Sequence, residues 1–366
     1  MATTQTTSPH PSLHLVHLIA GCWANGGGLS EVVAATVLAQ AQLGHRVTLI
    51  FLDGEAEHPL VARCREAGVT VCIYHRLPLL KKLFLSWDLV RHLDDTLRDA
   101  THLYLYSCWT FPIWWTAFRA RQLHISYSLA PHGCLDPVRR AYGKIRKALA
   151  WHLFDRRLLQ HASWLHATAH IEADWMRTAL GTHCPPIRII PNGVDGELFD
   201  SVPEQKRTQS VLYLGRLHPL KGLDLLLEAW KRLTPSSDWE LIIAGPNDGA
   251  VLPSLPNVCL LPPCYGSEKV KLIKQASILV LPTRSENFGI VVAEALWSRT
   301  PVICTKGAPW ECLGKYWVEI SADAITNALS HLMRSTPAER ETDFQPLFDS
   351  AHVDYQWQTI AMRLLP

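Results

Sequence analysis

One stretch leaves this chain little freedom in how it can fold. An apolar segment, Ser277 to Pro282, reads as a strand. T-R-S-E-N-F-G-I-V-V-A-E-A-L, Thr283 to Leu296, turns out of it and continues as a helix, and Thr300 to Cys304 is strand-like again. That order is the βαβ unit of an α/β domain. Glu286 then sits where strand gives way to helix, and Glu294 lies eight positions on. Eight steps of about 100° end about 80° beyond two full turns. Both carboxylates can therefore face one crevice at the carboxyl ends of the strands, where open α/β sheets bind ligands. The amides of Asn287, Phe288 and Gly289 would point into the same crevice, at the positive end of the helix. Carboxylates accept strongly from O–H donors, so this arrangement suits sugar hydroxyls. The plainer alternative makes Glu286 a helix-start charge favoured by the dipole and Glu294 a solvated helix residue.

The rest of the chain keeps the same alternation. Leu13 to Ile19 reads as a strand, Ala20 to Gly28 as a loop ending in three glycines, Leu29 to Leu43 as a helix and Arg46 to Leu52 as a strand. The glycines either let backbone approach a phosphate or sugar or merely turn the chain. Further strands are expected at Val69–Tyr74, His102–Tyr106, His124–Leu129, Trp164–Thr168 and Ile187–Ile190. Helices are expected at Lys81–Leu97, Tyr142–Gln160 and His170–Leu180. The first of these carries Lys81, Lys82, Arg91 and His92, and it either lies on an anionic membrane or packs on the sheet. His132 stands on a loop just past a strand end, in A-P-H-G-C-L-D-P. Pro191-Asn192-Gly193 marks a turn between two α/β halves.

The second half opens V-L-Y-L-G-R-L-H-P-L-K-G. Gly215 ends a strand, Arg216 follows it, and Lys221 precedes a helix start where cations are disfavoured by the dipole. Two cations there point to an anionic ligand such as a diphosphate. Strands are expected at Val211–Gly215, Trp239–Ala244, Val258–Leu261, Ile278–Leu281 and Pro301–Cys304, and a last helix at Asp354–Leu365. Gly245-Pro246 and Tyr265-Gly266 are loops at strand ends, suited to a nucleotide base or ribose.

At 366 residues the chain exceeds one ordinary core, and two domains are expected. A net charge of +2 is too balanced for a nucleic-acid binder. It is also uneven: residues 1–195 hold 19 Lys/Arg against 14 Asp/Glu, and eight of the 14 tryptophans. Ten scattered cysteines without a C-x-x-C fit a reducing compartment better than a disulfide framework or a zinc site. The polar N-terminus lacks the charged start and apolar core of a signal peptide, and a cytoplasmic protein is expected.

G-R-L-H-P-L-K-G and S-E-N-F-G-I-V-V-A-E, together with S-L-A-P-H-G-C-L-D-P and I-I-P-N-G-V-D, resemble the retaining GT-B glycosyltransferases of glycosyltransferase family 4, the "group 1" enzymes. The likeness runs from the Gly-rich loop to the last helix. It implies two Rossmann-like domains facing across a cleft, an acceptor-side domain over 1–195 and a nucleotide-sugar domain over 196–350. Residues 351–366 would form a helix returning to the first domain. The donor would be a UDP-, GDP- or other nucleotide-diphosphate sugar. Arg216 and Lys221 would neutralise its diphosphate, beside Gly215, Gly245 and Tyr265. Glu294 would bind the ribose, and Glu286 the donor sugar, with help from the amides of Asn287, Phe288 and Gly289. His132 would reach the donor sugar from the first domain, and Gly27 and Gly28 would line the acceptor side. With no D-x-D in the chain, no metal cofactor is expected. The acceptor would be a glycan or lipid-linked hydroxyl in envelope or exopolysaccharide synthesis, with peripheral contact to the inner face of an anionic membrane. Arg299-Thr300-Pro301 departs from the commoner Gly-x-Pro, which leaves the pocket edge near Trp310 open. The alternatives are a GT-B sugar-nucleotide epimerase and a non-catalytic nucleotide-sugar-binding subunit. A dinucleotide dehydrogenase is disfavoured by the missing G-x-G-x-x-G.

Overall fold

The structure is a computed structural model that describes residues 12–21, 28–53, 58–78, 83–141, 144–233, 238–247 and 255–366. Gly27, Lys81 and Lys82, singled out in the sequence, lie outside these.

Thirteen strands form two parallel sheets among the described residues. In the first, β1 (His14–Gly21), β2 (Arg46–Leu52), β3 (Thr70–Tyr74), β4 (His102–Tyr106), β5 (Ser126–Ala130), β6 (Trp164–Ala167) and β7 (Ile187–Ile189) run in the order β3-β2-β1-β4-β5-β6-β7. In the second, β8 (Ser210–Leu214), β9 (Glu240–Ala244), β10 (Val258–Leu261), β11 (Ile278–Leu281), β12 (Val302–Thr305) and β13 (Trp317–Val318) run in the order β10-β9-β8-β11-β12-β13. Each sheet reverses its winding once, between β1 and β4 and between β8 and β11. Such a reversal opens a crevice beyond the carboxyl ends of the strands. The central strands are buried on both faces and read as largely apolar runs, whereas the edge strands β3, β7, β10 and β13 are partly exposed.

Among the described residues, the chain crosses between the lobes twice. After β7 it passes through Val194, whose amide donates to Tyr355 O at 2.7 Å. Helix Pro337–Asp354 packs Phe344, Phe348 and Ala351 into the second lobe's core. Helix Trp357–Arg363 then returns to the first lobe. There Trp357, Ile360, Ala361 and Leu364 join the core beneath helix Gly28–Gln42, and the Tyr104 hydroxyl donates to Leu364 O at 2.8 Å.

Three helices differ from the sequence reading. The expected helix at 81–97 starts at Trp87, because Ser86 caps it by accepting from the Leu89 amide. Its buried stripe is Leu89, Leu93 and Leu97, while Trp87 is exposed. The expected helix at 142–160 is broken into Lys144–Ala150, a π turn at Trp151–Asp155 and Arg156–Gln160. The last helix is shorter than expected, because Asp354 ends the preceding one.

Removing Trp357, which is 6% exposed, should cost about 3–5 kcal/mol in Trp357→Ala, read by urea unfolding. A row of buried histidines makes a second prediction. His17, His102 and His166 stand on β1, β4 and β6 among Tyr104 and Trp164. Burial pushes their pKa values down from 6.5 to about 3, about 4 and about 4. They stay neutral in the native protein, whereas the unfolded chain protonates them below about pH 6.5. Their contribution to stability is complete above pH 6.5 and is lost as pH falls toward 4. Unfolding between about pH 7 and about pH 5 should show this acid loss, and His102→Gln should lessen its slope.

Candidate functional site

A cavity of about 640 Å³ lies between the lobes, over the points where both sheets reverse. Gly28, His132 and Arg139 line it from the first lobe. Gly215, Arg216, Lys221, Gly245, Tyr265, Glu286, Asn287, Phe288, Gly289 and Glu294 line it from the second. Every site residue singled out in the sequence, apart from the undescribed Gly27, therefore borders one space.

Close backbone packing holds the second-lobe wall. A Cβ on Gly245 would stand 2.0 Å from Gly215 O, so the loops leaving β8 and β9 can touch only through glycine. Lys221 ends a short 3₁₀ turn, Pro219–Lys221, and Gly222 behind it has φ +67°. A Cβ there would stand 2.0 Å from Pro282 O at the end of β11. This contact sets Lys221 beside Glu286. Phe288 and Gly289 precede helix Ile290–Trp297, and Trp310 Nε1 donates to Phe288 O at 2.5 Å. Trp310, left open by the sequence, is thus a buried support behind the loop.

Glu286 is buried, and both of its carboxylate oxygens meet cations. Lys221 Nζ donates to Oε2, and Arg139 Nη2, from the opposite lobe, reaches Oε1 at 3.4 Å. Burial would raise its pKa, but Lys221 and Arg139 outweigh burial and hold it below the ordinary carboxylate value. Glu294 faces the same cavity against Lys269 Nζ, at 2.8 Å. Lys269 also holds Glu31 of helix Gly28–Gln42 at 2.8 Å, so one ammonium joins the two lobes. Burial, supported by the Glu31 charge, raises the Glu294 pKa against the pull of Lys269. Burial works against the charged form of Lys269, and the two carboxylates more than reverse it.

Other contacts between the lobes surround these ion pairs. Asn287 Nδ2 donates to Thr168 Oγ1 at 3.2 Å, and Ser285 Oγ donates to Asp136. The Gly133 amide donates to the buried Glu172 at 2.6 Å, which fixes the loop that carries His132. His132 has φ +49°, and Ser107, another cavity residue, has φ +80°. Strained backbone at non-glycine residues concentrates where ligands are held. The His132 Nε2 atom is buried without a hydrogen bond among the described residues. Burial, with a smaller effect from His166, pushes its pKa down to about 3, so the ring is neutral at physiological pH. Among the described residues, no three His, Cys, Asp or Glu side chains converge on a metal position.

The sequence reading missed Arg139, Lys269 and Glu31. Lys269 did leave a trace, lying four positions before the apolar Ile273 and so on the helix's buried face. Arg139 and Glu31 are ordinary helix residues in sequence, and only the docking of the lobes gives them partners.

A model of the "Glycosyl transferase 4-like domain" matches residues 27–193, and one of "Glycosyl transferases group 1" matches residues 208–335. The D-inositol 3-phosphate glycosyltransferase of Paenarthrobacter aurescens (strain TC1) is 25% identical over 330 residues, covering 77% of this chain and 76% of that one. A sucrose-phosphate synthase from Thermosynechococcus elongatus superposes with a TM-score of 0.74 at 17% identity, over 96% of this chain and 97% of that one. Anabaena HepE, solved in complex with UDP and glucose, superposes with a TM-score of 0.71 at 15% identity over the same shares, 96% and 97%. The two superpositions bear on the fold, and the domain matches bear on the family. Two matched domains in order, on two parallel sheets that face across one cleft, make this chain a GT-B glycosyltransferase of the group 1 family.

Proposed function

We propose that the enzyme is a retaining, metal-independent hexosyltransferase, acting from a nucleotide-diphosphate sugar onto a hydroxyl of a glycan or lipid-linked acceptor in envelope or exopolysaccharide synthesis. The observation that carries this reading is the charge layout of the cleft. Arg216 and Lys221 follow the carboxyl end of β8 and line the same cavity as the buried acids Glu286, which Lys221 contacts, and Glu294.

In the reaction, the bond from the anomeric carbon to the phosphate oxygen breaks, and a bond from that carbon to the acceptor oxygen forms. Negative charge collects on the departing diphosphate, and Arg216, Lys221 and the loop amides offer fixed positive charge and dipoles to it. An ammonium has three donors, so Lys221 can hold Glu286 and a phosphate oxygen together. Glu286, kept ionised, accepts from donor-sugar hydroxyls, and Glu294 accepts from the ribose. Neutral His132, on the cavity wall, would meet the donor sugar near the reacting carbon, where its buried Nε2 would gain a partner. Attack comes from the leaving-group face, and a phosphate oxygen takes the acceptor's proton. This route retains configuration without a carboxylate nucleophile at the anomeric carbon.

Arg216→Ala and Lys221→Ala should each weaken UDP or GDP binding by about 1–3 kcal/mol, measured by calorimetry. His132→Ala should lower turnover more than nucleotide affinity. Unchanged affinity in both cation variants, or wild-type turnover without His132, contradicts these roles. Activity should survive EDTA, because two protein cations already face the diphosphate; loss that Mn²⁺ restores rejects metal independence. An epimerised sugar nucleotide formed from donor alone would overturn the transfer reaction.

A further inference from the structure

Residues Lys144–Gln160 form a rod on the first lobe, made of the two short helices and the π turn between them. Its inner side is anchored. Trp151, Leu158 and Leu159 join the core, the Tyr127 hydroxyl donates to Leu158 O at 2.7 Å, and Asp155 accepts from the Trp109 amide at 3.0 Å. Its outer side is not an ordinary solvated face. Ile145, Leu149 and Leu153, spaced four apart, are 89%, 60% and 57% exposed, and Phe154 beside them is 43% exposed. In an α-helix each such step drifts by about 40°. The π turn, wider than an α turn, takes up part of that drift at Leu153. Lys144, Arg146, His152, Arg156 and Arg157 surround this stripe, all exposed. The one acid in the rod, Asp155, is buried.

Single exposed apolar side chains need no explanation, but a contiguous stripe rimmed by one sign of charge marks a contact surface. A second copy of the chain is a poor occupant, because a two-fold contact would set the same basic rods face to face. An anionic bilayer satisfies both features. Apolar side chains enter the acyl boundary, while Arg and Lys stems rise to the headgroups. We propose that Lys144–Arg157 docks the first lobe onto an anionic lipid surface. The rod also communicates with the cleft. Lys147 Nζ donates to Arg139 O at 2.6 Å, and Arg139 reaches Glu286. A docked rod would thus hold the cleft's first-lobe rim at the headgroup layer, where a lipid-linked acceptor presents its hydroxyl. That last step rests on the acceptor class proposed above; the docking does not.

The test is co-sedimentation of the whole protein with vesicles of phosphatidylcholine alone, or with about one third phosphatidylglycerol. The wild type should bind the anionic vesicles and not the neutral ones. Ile145→Glu/Leu149→Glu and, separately, Arg146→Gln/Arg156→Gln/Arg157→Gln should each bind at least about tenfold more weakly. UDP affinity and donor hydrolysis should match wild type in both, since none of these residues lines the cavity. Wild type that stays in solution with anionic vesicles, or variants that bind as wild type does, would overturn the proposal. So would a dimer that the Glu substitutions split, since the stripe would then be a contact between copies. Vesicle binding in a protein that never transfers sugar would sink the proposed reaction and leave the docking standing. Transfer to a soluble acceptor without vesicle binding would do the reverse.

Discussion

Lys269 is a buried cation shared by two carboxylates from opposite lobes, and the shape of the cleft depends on it. A buried ion is costly unless its hydrogen bonds are met, and truncating one partner of such a pair leaves the other charge stranded. Glu31 and Glu294 meet two of its three donors. The tie holds the start of helix Gly28–Gln42 to helix Ile290–Trp297 across the cleft. Glu286, Lys221 and Arg139 repeat the theme across the cavity with the signs exchanged: one acid lies between cations from both lobes.

These ties explain how a polar cavity persists inside a protein with three large apolar clusters, two in the first lobe and one in the second. The cores set the sheets, and the sheets set the strand ends. Among the charged residues around those ends, Glu286, Glu294 and Lys269 are too buried to be left unpaired. A ligand with an anionic end and many hydroxyls would exchange partners with them without leaving a charge stranded. This is the physical reasoning behind the proposed donor, a sugar attached to a diphosphate.

Much of the fold was legible in the chain. Strands β2, β4, β10 and β11 occupy the residues that their apolar runs indicate, and where a polar side chain interrupts a run, as buried His102 does in β4, hydrogen bonds to Ser126 and Ser128 satisfy it. The spacing of Glu286 and Glu294 also served well, since both face one cavity. Helix Pro337–Asp354 was harder to see. It is largely polar and carries Pro346 inside, and it was not read from the sequence; the structure shows a Thr336–Glu339 capping box at its start. The π turn at Trp151–Asp155 leaves no periodic trace. Arg139 and Glu31 acquire meaning only from a partner more than a hundred residues away, and local pattern cannot supply that.

The two chain crossings have a mechanical consequence. Val194 and Gln356 pair as a parallel bridge, so the outgoing and returning segments lie side by side rather than at opposite rims. Paired connectors of this kind bend together far more readily than they shear. The two crossings therefore share one place in the molecule, away from the contacts of Arg139 with Glu286 and of Lys269 with Glu31 that join the lobes across the cleft.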